Sequence, residues 1–245
     1  MLEKGEIGFD RRLKLPWLDL TVDLVSQGLP PTEIRQDLSR HLEGVLAESG
    51  ERGARSKTIT VLCRMWCGDG SIVDPLRREA IHLRQVLQAR HHIWLHTGLA
   101  IATYPFFLSA METLGRLLRL QGDVGLQEAT RRICERWGDR ERVVRSARHV
   151  VQSIRDWGLL DTGPRRGVYI APKPRPQPST EVGIWLIRAM LLGGRREAAP
   201  LDEILHSPAL FPFDVSITPH QLRQSDTVKI YRQGLDAELI ELADR

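Results

Sequence analysis

The alternation of apolar and polar positions predicts a mainly α-helical chain. Over residues 139–157, Val143, Ala147, Val150, Val151 and Ile154 fall on one side of a wheel turned by about 100° per residue, the stripe a helix buries. Asp139 stands before that stripe as an N-cap. "LPWLDLTVDLVSQGLPPTEIRQDLSRHLEGVL" reads as two shorter helices around a Gly-containing turn, the outline of a helix-turn-helix. Pro16 sits at the start of the first and Gly28 ends it. Thr32 is the expected N-cap of the second, in which Ile34, Leu38, Leu42 and Val45 recur at helical spacing. "AESGERGARS" follows as a loop, and "SKTITVLCRMW" begins a further helix.

From Asp74-Pro75, "LRREAIHLRQVLQARHHIWLHTGLAIA" predicts a helical stretch that supplies much of the core. A turn at Thr103-Tyr104-Pro105 leads to the helix "FFLSAMETLGRLLRLQG", then to an extended "DVG", the helix "LQEATRRICERWG" and the helix of 139–157. Two apolar strands follow, around a turn carrying Gly163, Pro164 and Gly167. Helix, extended piece, two helices and a hairpin are the element order of a winged helix-turn-helix. "PKPRPQPS" reads as an extended proline-rich linker. Beyond it, "EVGIWLIRAMLL" and "PLDEIL" predict helices, "PFDVSIT" and "TVKIYRQ" strands, and "LDAELIELA" a closing helix. The expected fold is therefore mainly α: an N-terminal helix-turn-helix domain (1–65), a helical core and winged-helix domain with a short β-hairpin wing (66–172), a linker (173–179) and a small α+β C-terminal extension (180–245).

Composition narrows the class. Hydrophobic residues make up 42% and charged residues 27%, as in soluble globular domains. The formal net charge of +4 suits a polyanionic partner without requiring one. Only Lys4, Lys14, Lys57, Lys173 and Lys229 are lysines among 35 basic residues, so guanidinium forks dominate. Cys63, Cys67 and Cys134 form no disulfide framework and fit a reducing cytoplasm. The N-terminus lacks a signal-peptide design. The most apolar window, 93–108, is interrupted by His96, Gly98 and Pro105 and falls short of about 18 clean apolar residues, so no membrane partner is expected.

The candidate chemistry is that of nucleic-acid contact. Arg140, Arg142, Arg145, Arg148, His149 and Gln152 lie away from the apolar stripe of 139–157, where arginine can fork onto guanine edges or clamp phosphates. Arg165 and Arg166 at the hairpin tip would meet the flanking backbone. Arg35, Gln36, Ser39 and Arg40 are the analogous readers of the first unit, supplemented by Arg55, Ser56, Lys57 and Thr58 at a helix start. A solvated face with ion pairs such as Glu141–Arg145 is the bland alternative. Cys63 and Cys67 are four apart, as are His92 and His96, and together they could hold zinc, but the spacing is not that of Cys-x-x-Cys modules. Asp69 and Asp74 beside Gly68 and Gly70 match no calcium loop and predict a turn. Without a phosphate-binding glycine loop, a nucleophile elbow or an HExxH motif, neither an enzyme nor a cofactor is expected.

"LVSQGLPPTEIRQDL", "RSKTITVL" and the terminal "VVRSARHVVQSIRDWGLLD" running into a hairpin resemble the BrxA family of bacterial BREX phage-defence loci. The matching positions are Gly28, Glu33, Ile34, Arg55, Ser56, Thr58, Gly158, Leu159 and Leu160, and the resemblance covers residues 13–162. The region between Cys67 and Pro105 departs from the family in length and content, and the block after Pro172 has no counterpart. The resemblance implies a non-catalytic double-stranded DNA-binding component of an antiviral defence assembly, with the C-terminal block as a surface for other subunits. A winged-helix transcriptional regulator, reading a palindrome as a dimer, or a protein–protein adaptor are the alternatives.

Overall fold

A computed structural model describes residues 7–47, 53–68, 72–233 and 237–243. The turns expected around residues 49–52 and 69–70 therefore lie outside the described residues. Three helices come first, α1 (Leu15–Ser26), α2 (Pro31–His41) and α3 (Ala54–Trp66), each packed on the other two. Prolines in the first turn of α1 and α2 bring a preset φ and no N–H to leave unpaired. Thr32 lies inside the first turn of α2 and caps nothing, because the helix already starts at Pro31.

The stretch after Asp74 is not one helix. It divides into α4 (Asp74–Val86), a 3₁₀ turn (Ala89–His91) and α5 (His92–Thr103). The break lets α4 pack across α5 instead of extending it. α5 is buried continuously from Trp94 to Ala102, which accounts for the most apolar window in the chain. Among the described residues, no single helix is long and apolar enough to cross a membrane.

α6 (Pro105–Gln121) ends at Gly122, whose φ of 81° turns the chain into β1 (Asp123–Gly125). Then come α7 (Leu126–Trp137), α8 (Glu141–Asp156), β2 (Asp161–Thr162) and β3 (Val168–Ile170). The three strands form an antiparallel sheet in the order β1-β3-β2, with Val124 opposite Tyr169 and Asp161 opposite Ile170. α8 keeps its expected apolar face: Val143, Ala147, Val150, Val151 and Ile154 are fully buried. Each of the larger ones contributes about 1.5–3 kcal/mol to holding the helix in place. Asp139 does not cap α8; Arg140 occupies the cap position and no side chain bonds there. β2 is exposed and polar where an apolar strand was expected.

The C-terminal block is part of the same core. α9 (Thr180–Gly193) lies along α5, with Trp185 fully buried and its indole N–H donating to the Leu76 carbonyl at 3.1 Å. Gly98 permits this approach, since a Cβ there would sit 2.2 Å from the Trp185 ring. The proline-rich stretch before α9 is also packed: Pro178 is buried and the Pro176 carbonyl accepts from the Asp214 N–H at 3.1 Å. Continuous packing thus crosses the expected boundaries near 65 and 172.

Beyond α9, β4 (Ala198–Pro200), α10 (Leu201–Leu205), α11 (Pro219–Arg223), β5 (Val228–Gln233) and β6 (Ala237–Leu242) complete the chain. The second antiparallel sheet has the order β4-β6-β5, with Ile230 opposite Ile240. The expected closing helix is therefore strand β6: the ladders to β5 and β4 outweigh the helix propensity of its Ala, Glu and Leu residues. "PFDVSIT" is not a strand but an irregular segment that buries Phe213 and Ile217.

Candidate nucleic-acid interface

An N-terminal arm, residues 7–14, packs against α6 and α8. Phe9 is fully buried against the rings of Tyr104, Phe107 and Trp157, with centroids 5.5, 5.2 and 6.2 Å away. The Leu13 N–H donates to Ser153 Oγ at 2.9 Å, and the Trp157 indole donates to the Leu13 carbonyl at 3.0 Å. Arg12 pairs with Asp156 at 2.5 Å. The arm is thus stitched to α8, a role the sequence reading did not assign to it.

On α8, Arg142, Arg145 and Arg148 are exposed, as is Arg140 just before it. Gln152 is half-buried. His149 turns inward, its Nδ1 2.9 Å from the Asp10 carbonyl. In the β2–β3 hairpin, the Gly163 N–H donates to the Val168 carbonyl at 2.8 Å, and the Val168 N–H to the Arg165 carbonyl at 3.1 Å. Those bonds close the turn and leave the Arg165 and Arg166 side chains exposed.

The first unit contributes less evenly. Arg35 and Gln36 of α2 are exposed, and Arg40 is exposed but paired with Asp37. Ser39 is half-buried, and its carbonyl accepts from Arg55 Nη1 at 3.3 Å. On α3, Lys57 is exposed and Ser56 half-buried. Thr58 is only 2% exposed and its hydroxyl donates to the Ala54 carbonyl at 2.8 Å, so it faces the core and offers nothing to a phosphate.

α3 and α8 face each other across a cleft of about 520 Å³, with the arm along it. Lys57, Thr60, Val61 and Arg64 line it from α3, Arg142, Arg145 and Ser146 from α8, and Gly8, Asp10 and Arg11 from the arm. Five basic side chains thus converge with Asp10 as the acidic member among the described lining residues. Arg142 is 62% exposed, its Nη2 3.9 Å from Asp10 Oδ2. The Arg64 guanidinium stands 5.6 Å from the Tyr104 ring centroid. Lys57, Thr60, Val61 and Arg64 follow helical spacing, a signal present in the sequence; Asp10 and Arg11 gave none. A second cleft of about 510 Å³, between α7 and α8, includes Arg131, Cys134, Asp139 and Arg148. Burial pushes the Cys134 thiol up from its ordinary range.

The two metal-spaced pairs have other partners. Cys63, buried, and Cys67, half-buried, are free thiols beside each other at the C-terminal end of α3. His96, fully buried, lies with its Nε2 3.1 Å from Asp19 Oδ1, and His92 contacts Arg84. Arg84 also donates to Asp19 at 3.1 Å and to Asp23 at 2.7 Å, tying α4 and α5 to α1. Among the described residues, no three His, Cys, Asp or Glu side chains are grouped to hold a metal ion.

Burial holds His96 below its ordinary pKa of 6.5, against the pull of Asp19. Burial raises the Asp19 pKa, but the hydrogen bonds from His96 and Arg84 outweigh it and keep that carboxyl below 3.8. The unfolded chain takes up a proton at residue 96 as pH falls through 6.5, whereas the folded chain resists it. Stability is therefore full above that pH and declines below it, then declines again below 3.8 as Asp19 is protonated. Melting temperatures from pH 7.5 to 5 should fall, and less so in His96→Gln, whose amide can still donate to Asp19. Parallel profiles for the two proteins would refute this.

No protein-family model, curated protein or solved structure was found to match the chain.

Proposed function

We propose that the chain is a winged-helix protein that binds double-stranded DNA, with α8 as the groove-facing helix and the β2–β3 hairpin as the wing. The observation that carries this reading is the division of α8. Its apolar face is fully buried, while Arg142, Arg145 and Arg148 remain exposed on the other side. The order α6-β1-α7-α8-β2-β3 and the strand order β1-β3-β2 support the winged-helix assignment. Phosphates account for most of the affinity, and arginine forks on base edges add modest sequence preference. The resemblance of residues 13–162 to BrxA proteins supports a role as a non-catalytic member of a cytoplasmic phage-defence assembly. The β4-β6-β5 sheet then belongs to the block that meets other subunits.

Titration of the purified protein with random-sequence duplex DNA, followed by fluorescence anisotropy, tests the reading. With four to five phosphate contacts, affinity should fall about 10²- to 10³-fold between about 50 and 200 mM salt. Replacing Arg165 and Arg166 by alanine should make the slope of log affinity against log salt shallower by about one to two units. Absent or salt-insensitive binding would remove the proposal. An unchanged slope in the double variant would remove the wing from it.

A further inference from the structure

Lys57 and Thr60 stand one turn apart on α3, and Arg142 and Arg145 one turn apart on α8. Both pairs line the same cleft, although the sequence places them in separate units. A phosphoryl group is held best by charge-assisted donors arriving from several directions, and guanidinium forks suit its geometry. Arg11, supplied by the arm, adds another donor: its Nε is buried and makes no hydrogen bond to the protein. A buried donor left over in this way calls for a partner. The described lining includes no aromatic ring on which a base could stack, so the cleft suits a phosphate and not a nucleobase. Asp10 reaches into the same space and stands 3.9 Å from Arg142, too far for a direct hydrogen bond but close enough to hold its charge.

The geometry points to a single phosphate seat assembled jointly by α3, α8 and the arm. It takes one phosphodiester of the duplex backbone, and Asp10 holds Arg142 until that phosphate displaces it. This rests on the DNA-binding reading above and deepens it: the two helical units grip one point on the duplex instead of docking as independent readers. Asp10 acts as an internal anion, so the seat discriminates by charge. A phosphate must outcompete the carboxylate, whereas a neutral ligand has nothing with which to displace it.

The test uses two probes, inorganic phosphate followed by amide chemical shifts and random-sequence duplex DNA followed by anisotropy. The proteins are the parent chain, Lys57→Ala, Arg145→Ala and Asp10→Asn. Lys57 and Arg145 are exposed, so their removal leaves the core intact. Saturable phosphate binding is expected in the parent, weakened about fivefold by either Lys57→Ala or Arg145→Ala and strengthened about threefold by Asp10→Asn. The duplex should rank the four proteins in the same order. Loss of phosphate affinity from one helix variant but not the other would overturn the shared seat while leaving duplex binding through α8 standing. Unchanged affinity in Asp10→Asn would overturn the part assigned to that carboxylate. Phosphate binding without duplex binding would overturn the backbone as occupant and the DNA-binding reading with it. No saturable phosphate binding in the parent would overturn the seat outright.

Discussion

Replacing Arg142 and Arg145 together by alanine is expected to weaken duplex affinity by about 8-fold at about 0.1 M salt. The two share one phosphate, and each phosphate contact contributes about 0.9 to the slope of log affinity against log salt, so losing it makes the slope shallower by about 0.9 units. The folded state should hardly notice. Both side chains are exposed, Arg142 has only a distant pairing with Asp10, and alanine favours helix at least as well as arginine. Stability should stay within about 0.5 kcal/mol of the parent, so a lost interaction is separable from a lost fold. If the salt slope is unchanged, α8 is not the element that meets the backbone. If Lys57 and Arg145 share one phosphate, Lys57→Ala added to Arg145→Ala should change the slope no further.

Trp185→Ala carries the largest expected cost to stability. The side chain is fully buried, and truncating such a residue costs about 3–5 kcal/mol through lost transfer energy and the cavity left behind. The Leu76 carbonyl would also lose its indole donor. For a chain of this size the melting temperature should drop by roughly 6–10 °C. The transition should remain a single one, because Trp185 joins α9 to the Gly98 surface of α5 and no separate C-terminal unit is left to melt alone. Two resolved transitions would mean that the C-terminal block is an independent domain. Gly98→Ala offers a converse test: the added Cβ would fall 2.2 Å from the Trp185 ring and force α5 and α9 apart.

Much of the helical framework was legible because its signals are local. Proline at a first turn, glycine with positive φ after a last one, and an apolar stripe repeating at about 3.6 residues act within a few positions of one another. The apolar stripe of α8, the division of α7 from α8 and the hairpin glycines follow from such signals. Strand β6 was not legible, since Ala, Glu and Leu favour a helix until β5 and β4 supply ladder partners.

The chain's own order of residues determined that α8 would have an apolar back and a basic front, and that Arg165 and Arg166 would stand at a hairpin tip. Tertiary structure decided what that front would face. Contacts such as Leu13 to Ser153 and Trp157 to Leu13 close the chain over some 140 residues and bring Arg11 and Asp10 beside α8. They also turn His149 inward, while the packing of α3 buries Thr58 and leaves Lys57 in the cleft. Periodicity specifies which side of a helix avoids water, but which exposed sides meet depends on the packing of elements distant in sequence, and no local pattern encodes that.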